Sequence, residues 1–144
     1  MRVVLAKFDV WKGERNVGKT IKGPSWSDIE AGLNAMDGDQ RDMAILGTGE
    51  DSYLSVAGGR SGMYMVAETR DNMTFYNVFD PKKKVVHVTL QTGGQLGEFD
   101  QRLTVSRAKV LIAAKYYYET GGLSPKFVWK TNEELIKLGA LNWT

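Results

Sequence analysis

The side chains with the most evident capacity for chemistry are five carboxylates that fall within fifteen consecutive positions. They are Asp37, Asp39, Asp42, Glu50 and Asp51. Two carboxylates held close together can act as general acid and base or cleave a glycosidic bond. In solvated turns the same residues have no chemical role, and on a surface they can bind a basic partner. The pattern therefore leaves three interpretations open: a carboxylate-based site, an acidic binding surface and plain solvated turns.

The chain has one histidine, His87, and no cysteine. Zinc needs several nitrogen or sulfur ligands, and this composition does not supply them. Alternation in the segment VVHVTL places Val86, Val88 and Leu90 on one face of a strand and His87 on the other. We expect His87 to be exposed on the helix-free side of its sheet and to have no chemical role. The sequence predicts no catalytic residue, no metal and no cofactor.

Three glycine clusters invite comparison with phosphate-binding loops: GTGED, AGGRSG and TGGQLGEF. A phosphate cradle precedes a helix and carries either a G-K-[ST] ending or the dinucleotide fingerprint. None of the three clusters meets these requirements. The first two lie between predicted strands, so we interpret them as hairpin turns.

The dense basic run Lys82-Lys83-Lys84 directly follows Pro81, in a chain whose net charge is +2. Nucleic-acid recognition requires basic residues spread over a face and interleaved with aromatic side chains. Three lysines at one turn are more typical of a solvated connection. Direct binding of nucleic acid through this run remains an alternative, and our main expectation is that the chain binds none.

A chain of 144 residues and 16.0 kDa is large enough to bury a core of its own. We therefore expect residues 1–144 to form one domain. No segment resembles a signal peptide or a membrane span, and the lack of cysteine suits a reducing compartment. These features favour the cytoplasm, with no membrane partner.

Capping signals and apolar spacing predict two helices and favour a third. The first begins at a capping box formed by Ser25 and Asp28, and its apolar stripe consists of Trp26, Ile29, Leu33 and Met36. The second begins at Thr104 or Ser106 and ends at Gly121. A short third helix begins at Thr131 or Asn132.

Two segments before the first helix and five after it are rich in β-branched and aromatic residues. The first two lie at residues 3–10 and near 17–21; the later five are RDMAILGTG, SYLSVAGG, GMYMVAET, MTFYNVFD and VVHVTLQT. The links between the five are too short for parallel crossovers, so they predict an antiparallel meander. The expected fold class is α+β: an antiparallel β-meander sheet with two or three helices packed on one face.

The second helix ends in three consecutive tyrosines. At 100° per residue, Tyr117 falls on the face of Val110 and Ala114, and Tyr118 flanks that face, so both should contribute to the core. Tyr116 falls on the opposite side with Ala108 and Ile112. The C-terminal segment is our first expectation for what covers that side, and another protein is the alternative.

Several segments then follow one another in a recognisable order over roughly residues 20–130. PSWSDIEAGLNAMDG precedes YLSVAGGRSGMYMV, and AAKYYYETGGLSP and FVW come later. The turn at Gly58-Gly59, the aromatic helix ending at Thr120-Gly121, and Pro125 and Trp129 beyond it carry the likeness. In this order and spacing the chain resembles immunity protein family one of bacterial polymorphic toxin systems, whose members are often encoded beside deaminase-type toxins.

This resemblance implies a binding protein and not an enzyme. Such a protein would neutralise a cognate toxin, a nucleic-acid deaminase or nuclease, by occluding its active site in the shared cytoplasm. The chain departs from the family at one position, because Thr131 stands where members carry an acidic residue. The alternative from another class is a small hydrolase or ligand-binding domain that uses the carboxylate cluster and His87.

Anchors of protein interfaces are commonly aromatic or arginine residues, and clefts that hold nucleic acid are basic. Among the acidic residues we favour Glu50 and Asp51, because Tyr53 follows them and Arg60 lies in the next hairpin. Tyr116 and Trp129 are the next candidates. The predicted toxin-binding residues are therefore Glu50, Asp51, Tyr53, Arg60, Tyr116 and Trp129.

Overall fold

The computed structural model describes residues 3–142. Its strands are β1 (Leu5–Phe8), β2 (Trp11–Lys12), β3 (Arg15–Asn16), β4 (Lys19–Lys22), β5 (Met43–Gly47), β6 (Tyr53–Gly58), β7 (Tyr64–Thr69), β8 (Phe75–Val78), β9 (His87–Thr92), β10 (Gln95–Asp100) and β11 (Trp129–Thr131). Its helices are α1 (Trp26–Asn34), α2 (Arg107–Thr120) and α3 (Asn132–Lys137), with short 3-10 turns at Arg60–Gly62 and Gln101–Leu103. The predicted α+β class is confirmed.

The principal sheet has seven antiparallel strands in the order β11-β8-β7-β6-β5-β1-β4. Strands β5 to β8 are consecutive both in the chain and in the sheet, as the short links between them require. Strand β1 pairs with β5 on one side and with β4 on the other. The predicted meander therefore accounts for the centre of the sheet.

The prediction that VVHVTLQT forms a fifth strand of this meander is wrong. Strand β9 pairs instead with β10 in a separate two-stranded sheet. The turn between them is Gly93-Gly94, with φ values of +58° and +83°, a conformation that glycine adopts without steric cost. The third glycine cluster is thus a hairpin turn as well. The place beside β8 is taken by β11, a three-residue strand that is too short to show a sequence period.

The predicted helix caps are confirmed in the backbone. The Ser25 hydroxyl accepts a bond from the Asp28 N–H at 3.1 Å, and the Asp28 carboxylate accepts one from the Ser25 N–H at 3.0 Å. Of the two candidates for α2 the N-cap is Ser106, and the helix ends at Gly121 with φ +72°. Helix α3 begins after Thr131, which forms a capping box with Glu134.

The main core lies between the sheet and helices α1 and α2. Its members include the inward-facing residues of β1, β5, β6 and β7, the apolar faces of both helices, and Met36 just after α1. They are Ala6, Phe8, Ala44, Leu46, Leu54, Val56, Val66, Ile29, Leu33, Met36, Val110, Ala113, Ala114 and Tyr117. Trp26 and Tyr118 pack against this cluster, with their ring centroids 5.9 Å apart. The predicted core roles of the first helix and of Tyr117 and Tyr118 are confirmed.

A second, smaller core contains the C-terminal segment. Leu135 of α3 is fully buried with Phe79, Leu103 and Ala140, and Met65 packs against this cluster. Met65 alternates with Val66 along β7, so this cluster lies across the sheet from the main core. The expectation that the C-terminal segment covers the outer side of α2 is therefore wrong, and Ile112 remains 41% exposed.

Among the described residues, none of the helices has the length and apolar character needed to cross a membrane.

Candidate functional site

Two turns project together from one end of the principal sheet. The first, residues 48–52, joins β5 to β6, and the second, residues 70–74, joins β7 to β8. Tyr53 pairs with Thr69 across β6 and β7, which brings both turns to the same end. The Tyr53 hydroxyl donates to Asn72 Oδ1 at 2.8 Å, and its ring meets the ring of Phe75 edge to face at 6.4 Å. A hydrogen bond and an aromatic contact thus join the two turns.

The first turn carries Glu50 and Asp51, and both side chains are exposed. Neither carboxylate forms an ion pair with another residue in the range 3–142. Beneath them the hydroxyls of Thr48 and Ser52 lie 2.8 Å apart, and Thr48 also shares a hydrogen bond with the buried Tyr117 hydroxyl at 3.1 Å. The acidic tip is therefore anchored to the core through α2.

The second turn is ordered by the carboxylate of Asp71. Its Oδ1 accepts bonds from the backbone N–H groups of Thr74 at 2.8 Å and Met73 at 2.9 Å. These bonds favour the charged form and hold the pKa of Asp71 below its usual range. They also fix the backbone of Met73, whose side chain is 82% exposed. An ordered turn thus presents a large apolar side chain to solvent.

These residues form one continuous feature, which we call the turn surface. Its members are Glu50, Asp51, Tyr53, Asp71, Met73 and Phe75. Beside Met73 and Phe75, a groove of about 560 Å³ extends between the second turn and the start of α3. Carboxylates, two aromatic rings and an exposed methionine therefore meet at one end of the sheet.

The structure separates Arg60 from the other residues predicted beside it. Arg60 follows β6, whereas Glu50 and Asp51 precede it, and the strand between them spans about 17 Å. The turn that carries Arg60 packs closely on Gly38, where an added Cβ would lie 2.1 Å from the Arg60 backbone nitrogen. Arg60 accordingly lies near the other acidic connection, at the opposite end of the sheet.

Tyr116, on α2, and Trp129, on β11, belong to neither turn and are both half-buried. The Trp129 indole N–H donates to the Ser124 carbonyl at 2.9 Å, and its ring meets Phe127 edge to face at 6.4 Å. Trp129 packs against the main core, so its surroundings are those of a scaffold residue. Tyr116 shares the outer side of α2 with the exposed Ile112.

Asp42, on the other acidic connection, is completely buried. Its carboxylate accepts hydrogen bonds from the Trp11 indole at 3.0 Å, the Gln91 side-chain amide at 2.9 Å and the Gly94 backbone N–H at 2.7 Å. These donors belong to β2, β9 and the β9–β10 turn. Asp42 thus ties two hairpins to the start of β5.

The five acidic residues do not converge on one site. Asp37 also has a local role, because its Oδ1 accepts bonds from the backbone N–H groups of Asp39 and Arg41, each at 2.9 Å. Glu50 and Asp51 lie at the far end of the sheet. Among residues 3–142, no three His, Asp or Glu side chains are grouped in a way that would hold a metal ion. Asp37 and Asp42 thus have structural roles, whereas Asp39, Glu50 and Asp51 are exposed residues of connections.

His87 is exposed at the start of β9, as alternation predicts. It pairs across the small sheet with Asp100. The Asp100 carboxylate is held by the Arg102 guanidinium through contacts of 2.8 and 2.9 Å, which lower the pKa of Asp100. The carboxylate nearest to His87 in the strand pairing is therefore engaged by an arginine.

Glu68 is a buried acid that our sequence analysis did not single out. It is 1% exposed on β7, and one carboxylate oxygen, Oε1, lacks a hydrogen-bond partner among the described residues. Its other oxygen meets Arg70 Nε at 3.3 Å, and that arginine is largely exposed. Burial raises the pKa of Glu68. Strand alternation could have identified Glu68 from the sequence, because this residue shares the inward face of β7 with Tyr64 and Val66.

We predict that Glu68→Gln raises the free energy of unfolding at neutral pH and flattens its dependence on pH. The folded pKa of Glu68 lies above the value of 4.5 for an unperturbed glutamate. The folded chain therefore keeps this proton at pH values where the unfolded chain has lost it, so the Glu68 contribution falls as pH rises through that window. Denaturant titrations from about pH 4 to pH 8 would measure the change.

The exposed substitution Glu119→Gln is the matched control and should leave the pH dependence unchanged. If Glu68→Gln were less stable than the wild type across the whole pH range, the Arg70 contact would outweigh the burial of the charge, and the prediction would be wrong.

A scan against protein-family models and a search of curated proteins found no match to this chain.

Proposed function

We propose that the protein is an immunity protein that binds a cognate bacterial toxin in the cytoplasm and occludes its active site. The toxin we propose is a deaminase or a nuclease that acts on nucleic acid. The sequence resemblance described above supports this proposal. The structural observation that carries it is the turn surface, where exposed carboxylates flank the exposed Met73 and the half-buried rings of Tyr53 and Phe75 at one end of the sheet.

Charge supports a basic partner. The chain has a net charge of +2, yet the turn surface contributes Glu50, Asp51 and Asp71. Arg70, the cation on the second turn, contacts the buried Glu68. A toxin that holds a nucleic acid needs a positively charged cleft. Carboxylates on the inhibitor would speed the encounter with such a cleft and favour it over clefts of the opposite charge.

Apolar contact supports a stable complex. Met73 and Phe75 supply flexible and aromatic contact area, and methionine and aromatic residues are enriched at interfaces. The bonds of Asn72 to Tyr53 and of Asp71 to its own turn order the backbone that carries Met73 and Phe75 before binding. A surface that is already ordered loses less conformational entropy on association.

The proposed function is tested by co-expressing the protein with candidate deaminase and nuclease toxins and measuring growth. Protection from one toxin, together with a purified complex that lacks toxin activity, would support neutralisation by binding. Protection without a complex would contradict it, because an enzyme that destroys the toxin or repairs its product needs no lasting contact.

Reversing the charge of the first turn, with Glu50→Lys and Asp51→Lys, is expected to slow toxin association about tenfold or more at low salt. The reason is the loss of attraction between the turn surface and a basic cleft. Stopped-flow or surface-binding kinetics at two salt concentrations would measure the rate, and the difference from the wild type should shrink at high salt.

The matched control reverses two exposed acids elsewhere, Glu14 before β3 and Glu30 on α1. It makes the same change in net charge away from the turn surface, so its effect on association should be much smaller. Equal slowing in both double variants would show that overall charge, and not this turn, controls the encounter.

A further inference from the structure

The groove beside the turn surface arises where two paired strands part. Strands β11 and β8 remain in register from Trp129 opposite Val78 to Thr131 opposite Tyr76. One residue further along, the chain enters α3, so within residues 3–142 no strand faces Phe75 on that side. The space that a continued β11 would fill is therefore open. Its lining consists of Met73, Thr74, Phe75, Thr131, Asn132, Glu133 and Ile136.

The groove has apolar walls and a polar rim. Met73, Phe75 and Ile136 supply the apolar contact, and Met73 is the most exposed large apolar side chain described in the chain. Thr131 and Asn132 add polar groups along one side. The Thr131 hydroxyl and the Asn132 side chain already have partners, the Glu134 N–H and the Asn77 amide. An elongated side chain with an apolar stem suits the apolar walls of the groove and can keep a polar head in water at the rim.

The charges around the groove favour a cation at the head of that side chain. Glu133 lines the groove, and its carboxylate contacts Lys137 at 3.7 Å in an exposed pair. Exposed pairs of this kind contribute little and exchange readily. Asp71 begins the neighbouring turn, and Glu50 and Asp51 lie on the turn joined to it. With Glu134 and its partner Lys130, five carboxylates stand against three cations, Arg70, Lys130 and Lys137.

We propose that this groove receives a long cationic side chain, an arginine or a lysine, from the basic cleft of the toxin. The proposal rests on the proposed function and identifies which toxin group the surface recognises. The stem of the side chain packs on Met73, Phe75 and Ile136, and its charged head pairs with Glu133 at the rim. Arginine suits the site better than lysine, because its planar guanidinium bonds a carboxylate through two N–H groups.

A peptide of six arginines is the probe, added to protein labelled at the methionine and isoleucine methyl groups and at backbone amides. We expect saturable shifts of the Met73 and Ile136 methyl signals and of the Asn132 amide, while the buried Met36 methyl signal stays in place. Six lysines should bind more weakly, and six glutamates should cause no shift. Saturable binding that maps elsewhere, or none at all, would overturn the proposal.

The variant Glu133→Gln should weaken arginine-peptide binding by about twofold to fivefold, the upper range for an exposed charge pair. Ile136→Ser should also weaken it, through loss of apolar contact. Glu119→Gln on α2 is the control and should bind as the wild type does, with a circular dichroism spectrum confirming the fold of every variant.

The same variants distinguish failure of this proposal from failure of the proposed function. If the wild type protects against a toxin and Glu133→Gln and Ile136→Ser bind that toxin as tightly as the wild type, the groove proposal is wrong and the proposed function stands. If the arginine peptide maps to the groove but the wild type forms no complex with any deaminase or nuclease toxin, the proposed function fails and the groove remains a cation-binding site.

Discussion

Replacing Asp42 with alanine is expected to lower the free energy of unfolding by about 3 kcal/mol or more, because three hydrogen-bond donors lose a charged acceptor. The donors are the Trp11 indole, the Gln91 amide and the Gly94 backbone N–H. Each belongs to a hairpin that contributes little to the main core, so Asp42 is a principal attachment of both hairpins. Denaturant titration would measure the loss, and hydrogen exchange should show β2–β3 and β9–β10 opening first.

Asp51→Ala is the matched control, because it removes one carboxylate from an exposed turn. It should change stability by no more than about 0.5 kcal/mol, as is usual for surface positions. If Asp42→Ala changed the free energy of unfolding as little as Asp51→Ala, the buried carboxylate would not hold the hairpins in place, and the prediction would be wrong.

Leu33→Ala is expected to cost about 2–5 kcal/mol of stability, the range for a large-to-small change in a packed core. Leu33 is 1% exposed on the inner face of α1, where it packs in the cluster formed with the sheet and α2. The lost methyl groups leave a cavity that the rigid sheet cannot collapse to fill. The midpoint and slope of a denaturant titration would give the change in free energy.

Leu96→Ala provides the same chemical change at a side chain that is 65% exposed on β10. We expect its stability to stay within about 0.5 kcal/mol of the wild type. Equal losses from the two leucine substitutions would place Leu33 outside the core and contradict the assigned role of α1.

The predictions for the Glu50 and Asp51 reversal and for Glu68→Gln follow from different physical effects. The Glu50 and Asp51 reversal alters long-range attraction, so it acts on association rate and responds to salt. The Glu68 substitution acts on folding free energy, because its carboxyl group is buried. Measuring stability and binding separately for each variant distinguishes an effect on folding from an effect on the turn surface.

Sequence reasoning was reliable for the helix ends and the central strands, but it missed the local hairpin around Gly93-Gly94. The Ser25–Asp28 capping box, the Ser106 cap and the Gly121 stop each involve groups a few residues apart. The meander from β5 to β8 likewise follows from short links that allow only antiparallel neighbours. The exposure of Glu50 and Asp51 was also predictable, because a tight link between two strands lies at the surface.

The sequence by itself thus determined the caps, the helix faces, the central strands and the presence of acids on two connections. The tertiary structure alone decided which connections meet: it joined Tyr53 to Asn72 and buried Asp42 beneath two hairpins. It also placed α3 across the sheet from α1 and α2, which leaves the outer side of α2 exposed. The physical reason is that local capping and periodicity depend on neighbours in the chain. Strand partners, buried carboxylates and surface grooves depend on contacts between residues far apart in sequence, and those contacts are settled by the packing of the whole domain.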